Sequence, residues 1–367
     1  MSYDAAERRL ARRHSALRFV ATPRFFLVVI IVALVVVFGT AMPSFFNGPF
    51  VIAPLLTSIS IFTIVGLAQM VVLSVGHMNI AVGQMASFGA MVSGIAFQLF
   101  DAPLVVGLIA GLAAGAGIGA LTGWIIARTG VNSFIVTLAM SFALIGLVPT
   151  VYQWLSPGVA FTAKPDGFDF LGRESFDSVC VLGYCGSDSI PIVVVAALVT
   201  MAFVGYLYTR TRLGRELLVT GSNEKAAKLS GVATGSRIVI VHALSGALAA
   251  LAGFLLAASI GSFTPSIGEE FMLQSFVGPI LGGTLLAGGY VSVTGTFLGI
   301  TLALLIRKGL ELFGFGIESL NVLLGLILLV ALSADRVRDI RGRRKPRPAD
   351  DQAAPAERAD TTTEVSA

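Results

Sequence analysis

Charge is what this sequence has least of. Asp, Glu, Lys and Arg make up 13% of its 367 residues, about half the roughly 25% of a soluble domain, and 55% of the residues are hydrophobic. A soluble globular chain is thereby excluded. Two cysteines and three histidines are too few for a structural or catalytic metal cluster, and no metal site is expected. No lysine follows a glycine, so the G-x-x-x-x-G-K-[ST] loop that cradles nucleotide phosphates is missing. The apolar centres contain no Asp or Glu, which proton-coupled carriers keep in mid-membrane despite the cost. There is no carboxylate pair or nucleophile triad to mark an enzyme, so no catalytic residue is assigned. The short alternating strands of a barrel are missing too. That leaves helices, which satisfy their own backbone groups in hydrocarbon.

The long apolar runs leave room for ten spans of about 20 residues. Polar, Gly and Pro punctuation places them at 25–42, 51–75, 84–100, 104–127, 134–154, 190–209, 237–260, 271–287, 291–306 and 318–334. The expected fold is all-α and polytopic, with about ten transmembrane helices between 25 and 334. A basic tail, 1–24, precedes them with Arg8, Arg9, Arg12, Arg13, Arg18 and Arg24. The run from Phe25 to Met42 exceeds the 7–15 residues of a signal-peptide core, so it reads as an uncleaved span. Basic residues favour the cytoplasmic side. With both termini cytoplasmic, only Lys164, Arg173, Arg307 and Lys308 fall on the other side. The C-tail, 335–367, opens with a basic collar from Arg336 to Arg347 and then turns polar, the composition of a disordered segment. The collar suits membrane lipid, and no nucleic acid partner is expected.

Two segments echo each other. Val75-Gly76-His77-Met78-Asn79-Ile80-Ala81-Val82-Gly83-Gln84 and Ile260-Gly261-Ser262-Phe263-Thr264-Pro265-Ser266-Ile267-Gly268-Glu269 both read β-branched, Gly, five residues, β-branched, Gly, then Gln or Glu. They lie on opposite sides in the ten-span topology, as an inverted repeat requires. Gly-interrupted segments at matching positions of two halves point to a transport pathway. The substrate-pathway candidates are Gln69, Asn79, Gln84, Ser87, Asn132 and Gln274, a neutral set suited to an uncharged polar solute. Asn79 has a second reading, as a cap for the third span. Gly107, Gly111, Gly115 and Gly119 recur every four residues, a packing signal. Cys180 and Cys185 share the longest extracytoplasmic loop, 155–189, and Gly183 permits the turn that a local disulfide between them needs.

The longest cytoplasmic loop, 210–236, can hold a short helix from Glu224 to Ser230, with Ser222 or Asn223 as its N-cap and Gly231 as its stop. Gly221-Ser222-Asn223-Glu224-Lys225-Ala226-Ala227-Lys228-Leu229-Ser230-Gly231-Val232 resembles the G-x-N-E-x-A-A-x-x-S-G-[IV] coupling segment of permease subunits from bacterial ABC importers of the ribose and xylose type. Thr211, Arg212, Gly214 and Arg215 match that family's T-R-x-G-R element. The Asn132-Ser133-Phe134-Ile135-Val136-Thr137-Leu138 start of span five and the Leu281-Gly282-Gly283-Thr284-Leu285-Leu286-Ala287-Gly288-Gly289 run also match. The sequence departs from the family at Asn79, where Asp is usual, at His77, where Gly is usual, and at Ser133, where Pro is common. The resemblance implies a permease in the bacterial inner membrane, fed by a periplasmic solute-binding protein and driven by ATPase subunits that use ATP and Mg, with no cofactor on this chain. It also implies a second permease copy or a similar permease, and ATPase coupling through Gly214, Asn223, Glu224, Ala226, Ala227 and Gly231. A monosaccharide or related polyol is the expected solute. Branched-chain amino acids or nucleosides through the same machinery are the alternative, and an ion-coupled secondary carrier is the rival from another class.

Overall fold

The chain forms a helical bundle in which two broken-helix units pack on each other. The computed structural model describes residues 23–156, 160–172 and 190–314, with isolated positions between 174 and 185 and between 316 and 329. In chain order come α1 (Pro23–Ala41), α2 (Ala53–Leu73), α3 (Val82–Phe100), α4 (Leu104–Thr129), α5 (Ser133–Leu155) and the single turn α6 (Phe168–Gly172). A two-stranded hairpin, β1 (Cys180–Val181) and β2 (Tyr184–Cys185), leads into α7 (Val193–Arg210), α8 (Arg212–Ser222), α9 (Glu224–Leu229), α10 (Thr234–Ile260), α11 (Phe271–Leu281) and α12 (Val293–Leu312). Eight of these described helices are long and apolar enough to cross a bilayer. This is a multi-pass, all-α membrane protein.

Helices α2, α3 and α4 form one unit, and α10, α11 and α12 form the other. Within the first, α3 packs on α4; within the second, α11 packs on α12. Between the units, α10 packs on α3 and α4 just as α2 packs on α11 and α12, and α2 and α10 meet each other. Exchanging the two units leaves this pattern unchanged, as the echoed segments require. A glycine of positive φ turns the chain after each lead helix: Gly76 (75°), two residues past the Ser74 cap of α2, and Gly261 (86°), the cap of α10 itself. The glycine row of α4 seats it in the bundle. A Cβ on Gly115 or Gly119 would collide with the α10 backbone at Gly246 and His242, and one on Gly111 with Ser93 and the backbone of α3.

Three expected boundaries need correction. The eighth span was expected as one helix over 271–287, but α11 stops at Leu281. Gly282 packs on the Gly295 backbone with no room for a Cβ, and Gly283, Gly288 and Gly289 all adopt positive φ, so 282–292 is irregular backbone held by its neighbours. The ninth span was expected to end at 306. It runs on to Leu312 because Arg307, Lys308 and Glu311 find partners: Arg307 with Glu270 at 3.2 Å and Lys308 with Glu311 at 3.2 Å. The loop 210–236 holds two helices rather than one, with Thr211 capping the unexpected α8 through Gly214 N–H at 3.1 Å. The tails 1–22 and 335–367, and the tenth expected span but for scattered helical positions, lie outside the described residues.

Candidate functional site

The first break, 74–81, is where the chain would expose most backbone, and its polar groups are nearly all accounted for. Gly76 N–H donates to Leu73 and His77 N–H to Val72, closing α2. Met78 N–H donates to Ser133 Oγ (3.1 Å) and Ile80 N–H to Thr137 Oγ1 (3.2 Å), both from the start of α5. The Gln69 amide clasps Asn79, its nitrogen donating to the Asn79 carbonyl (2.9 Å) and its oxygen accepting from Asn79 N–H (3.2 Å). Asn79 itself is fully buried. Its Oδ1 accepts from Ala81 N–H (3.0 Å), and its Nδ2 donates to Ser245 Oγ on α10 (3.0 Å). Gln69, Asn79 and Ser245 thus tie the first break to the opposite unit. The N-cap of α3 is Ala81, so Asn79 braces the turn before the helix rather than capping it.

The second break, 261–270, meets the first unit directly. Ser87 on α3 donates to the carbonyls of Pro265 (3.1 Å) and Ile267. Gly83 and Gly268, equivalent positions of the two echoed segments, stand backbone against backbone, and a Cβ on either would strike the other's carbonyl oxygen. Phe263 pairs with Phe161 through two 2.9 Å backbone hydrogen bonds, fastening the break to the loop after α5. Gln84 is half-buried at the start of α3. Asn132 is exposed, and its Oδ1 caps α5 through Phe134 N–H at 2.9 Å.

At the end of the bundle carrying α8 and α9, Asn223 caps α9 through Ala226 N–H at 3.0 Å, and Gly231 turns the chain out with φ 82°. Glu224 pairs with Lys228 (2.7 Å) and accepts from Thr234 Oγ1 (3.3 Å), tying α9 to α10. The Lys228 bond holds the Glu224 carboxyl below its ordinary range, and His77 lies close enough to add to that. Glu216 bridges α8 to α10 through Arg237 at 2.6 Å. Gly214 packs on the Leu207 carbonyl and Ala227 is buried, whereas Ala226 is exposed and Leu229 is 90% exposed. The two motifs that carry the family resemblance touch here. Gly289 N–H donates to the Ser74 carbonyl at 3.0 Å, and Gly221 sits against both. Tyr208 closes the corner, its hydroxyl donating to Ser74 Oγ at 2.9 Å.

At the opposite end, a cleft of about 450 Å³ opens between the start of α2, the second break and the end of α12. Of the pathway candidates, Gln274 adjoins it; Gln69, Asn79 and Ser87 brace the two breaks, and Asn132 caps α5 next to Ser133, which holds the first break. Sequence reasoning missed Ser245 and Ser133 as hydroxyls that close the first break and did not assign that role to the polar Thr137 in span five; the Asn132–Leu138 match signals the last two. It also missed the ring pair His77–His242, with centroids 5.7 Å apart between the first break and α10. No group of three metal-ligating side chains occurs among the described residues.

Residues 51–332 match the family described as branched-chain amino acid transport system / permease component. The ribose import permease protein RbsC of Escherichia coli (strain K12) is 32% identical over 309 residues, covering 83% of this chain and 91% of the relative. The Bacillus subtilis (strain 168) protein of the same name is 31% identical, covering 83% and 89%. The D-allose transport system permease protein AlsC of Escherichia coli (strain K12) is 26% identical, covering 85% and 90%. No solved structure matches the chain at a significant level.

Proposed function

The chain belongs to the permease-component family of branched-chain amino acid transport systems, and from that premise we propose that it is the membrane-spanning subunit of an ABC importer for a monosaccharide or related polyol. ATP is hydrolysed on separate ATPase subunits that dock on α8 and α9. A solute-binding protein delivers the sugar at the opposite end, and a second permease copy or a similar permease completes the pathway. The protein sits in the inner membrane with both termini cytoplasmic.

The observation that carries this reading is the junction of Gly221, Ser74 and Gly289. A push on α8 and α9 reaches the end of α2 and the irregular backbone after α11 through direct backbone contact. Both elements adjoin helix breaks, where a small displacement can become a change of access. The similarity to ribose and allose permeases supports a sugar. Gln69, Asn79, Gln84, Ser87 and Asn132 are then assigned to holding and hinging the breaks, with solute contact at the cleft beside Gln274. Proteoliposomes containing the permease, its ATPase and its binding protein should take up ribose, D-allose, galactose or fructose only when ATP is enclosed with the ATPase. Uptake of leucine instead, or uptake driven by an ion gradient without ATP, would overturn the proposal.

A further inference from the structure

Four basic residues escape the charge bias that otherwise sets the topology, and two of them, Arg307 and Lys308, stand side by side on the last turns of α12. Charge within a span is costly and is kept where it has work to do. Here it faces a cleft. The walls bring Arg307 and Lys308 together with Glu269, Glu270 and Glu311, and Phe62 adds an aromatic surface. Three acids against two bases leave the cleft almost neutral, which disfavours both anions and cations as occupants.

The polar groups form a graded set. Glu270 Oε2 accepts from Arg307 Nη1 (3.2 Å) and from Gln274 Nε2 (3.2 Å). Glu270 is still 61% exposed, so its carboxylate can accept further hydrogen bonds. Gln274 is only 6% exposed, and its Oε1 has no hydrogen-bond partner. A buried amide oxygen left unpaired is a cost that a ligand hydroxyl would relieve. Gln274 lines a small adjoining cavity whose walls share Phe62, Leu304 and Arg307 with the cleft. That cavity holds about 10 Å³, room for roughly one water. The cleft itself, at about 450 Å³, is in the range of small-molecule sites.

We propose that this cleft is a solute station of the permease itself, in which a neutral polyhydroxy compound rests on Phe62 and hydrogen-bonds Glu270, Arg307 and Gln274. The Glu270 carboxylate accepts from one hydroxyl while the Arg307 guanidinium beside it donates to the next, the pattern that adjacent sugar hydroxyls present. An amide offers both functions once more. The station rests on the functional reading above and adds to it the residues that meet the sugar.

The test uses the complete importer in proteoliposomes, with ribose, D-allose, galactose and fructose as probes and two quantities recorded: sugar moved per ATP hydrolysed, and the binding-protein concentration at half-maximal ATP hydrolysis. Glu270→Gln and Gln274→Leu should each lower the sugar-to-ATP ratio about tenfold, in line with the loss of a hydrogen bond to charge or of a buried polar contact, and should change the ratio unequally among the four sugars. Asp169→Asn, which breaks the remote Lys164–Asp169 pair, serves as the control. Glu270 is largely exposed, so its variant tests the station even if the Gln274 variant folds poorly. An unchanged sugar-to-ATP ratio in Glu270→Gln overturns the station. So does an unchanged ratio accompanied by a tenfold higher binding-protein requirement, which would make the cleft a docking surface. A wild-type importer that moves none of the four sugars with ATP overturns the functional reading and the station together.

Discussion

Gly221 and Gly289, 68 positions apart in the sequence, converge on one atom, the carbonyl oxygen of Ser74: Gly289 N–H donates to it at 3.0 Å, and a Cβ on Gly221 would overlap it. Gly289 also holds φ 83°, a conformation that side-chain-bearing residues rarely adopt. Two glycines therefore let α8, the end of α2 and the turn after α11 meet at backbone distance.

Gly221→Ala should push these elements apart and cost about 1–3 kcal/mol, as forced overpacking does. Gly205→Ala is the control, because nothing lies within 4 Å of its Cβ position on α7, and it should gain rather than lose stability through helix propensity. Thermal unfolding in detergent reads both. Equal melting temperatures for Gly221→Ala and wild type would mean that the junction gives way without cost.

Asn79 and Ser245 should behave as a coupled pair. Removing either partner leaves the other buried without its hydrogen bond, at about 1–3 kcal/mol. The Asn79→Ala, Ser245→Ala double variant should therefore be more stable than the sum of the single effects predicts, by at least about 0.5 kcal/mol. Strict additivity in unfolding measurements would show that the 3.0 Å contact contributes nothing of its own.

Much of this was legible in the sequence. Span positions follow from apolar runs, the α4 glycine row from its period of four, and the α9 cap from Asn223 followed by Glu224. The equivalence of Gly83 and Gly268 was visible as an echo, but their contact was not, because pairing across two units is a property of packing. The Asn79 amide was legible as polar and near a break. Its partner Ser245 lies 166 positions away, and no local pattern marks one serine in α10 as facing it. The eighth span failed for a related reason. The stretch 282–289 is apolar enough to read as helix, and only the Gly282–Gly295 contact and three positive-φ glycines end it.

Ala226 and Ala227, adjacent and identical in composition, should separate cleanly. Ala227 is fully buried within the permease and Ala226 is exposed. Ala227→Trp should reduce folded yield, since no cavity receives the ring. Ala226→Trp should leave folded yield and membrane insertion intact while weakening ATPase binding about tenfold or more, as bulk in the centre of an interface does. Co-purification of the ATPase with each variant decides. Normal ATPase binding by Ala226→Trp would remove α9 from the docking surface.

The Glu224–Lys228 bond predicts a specific acid sensitivity. Because the folded carboxyl lies below its ordinary value of 4.5, its contribution is complete above that value and is lost as pH falls through the lowered folded value. Wild type and Glu224→Gln should differ by a constant amount at neutral pH and converge only below the ordinary glutamate range. Convergence at pH 6 to 7 would assign the dependence to another group.

Cys180 and Cys185 should be joined in a disulfide when the protein is isolated from its membrane. The backbone supplies the reason: β1 and β2 pair antiparallel with Cys180 directly opposite Cys185 and Val181 opposite Tyr184. Directly opposed residues of an antiparallel pair have Cα atoms about 4.5 or 5.5 Å apart depending on hydrogen bonding, and both separations fall within disulfide range. The thiols themselves lie outside the described residues. Opposition alone does not oxidise them; the loop must also face the oxidising periplasm, as the proposed orientation has it. Unreduced, denatured protein should therefore show no reactive thiol, and two after reduction. The ring is small, so replacing both cysteines by serine should alter the melting temperature little while making the 173–189 loop easier to cleave by added protease. Two reactive thiols before reduction, in protein kept from reductants throughout, would overturn the pairing. Impermeant labelling of a cysteine at Asp166 in intact cells would then tell whether the hairpin or the orientation is wrong.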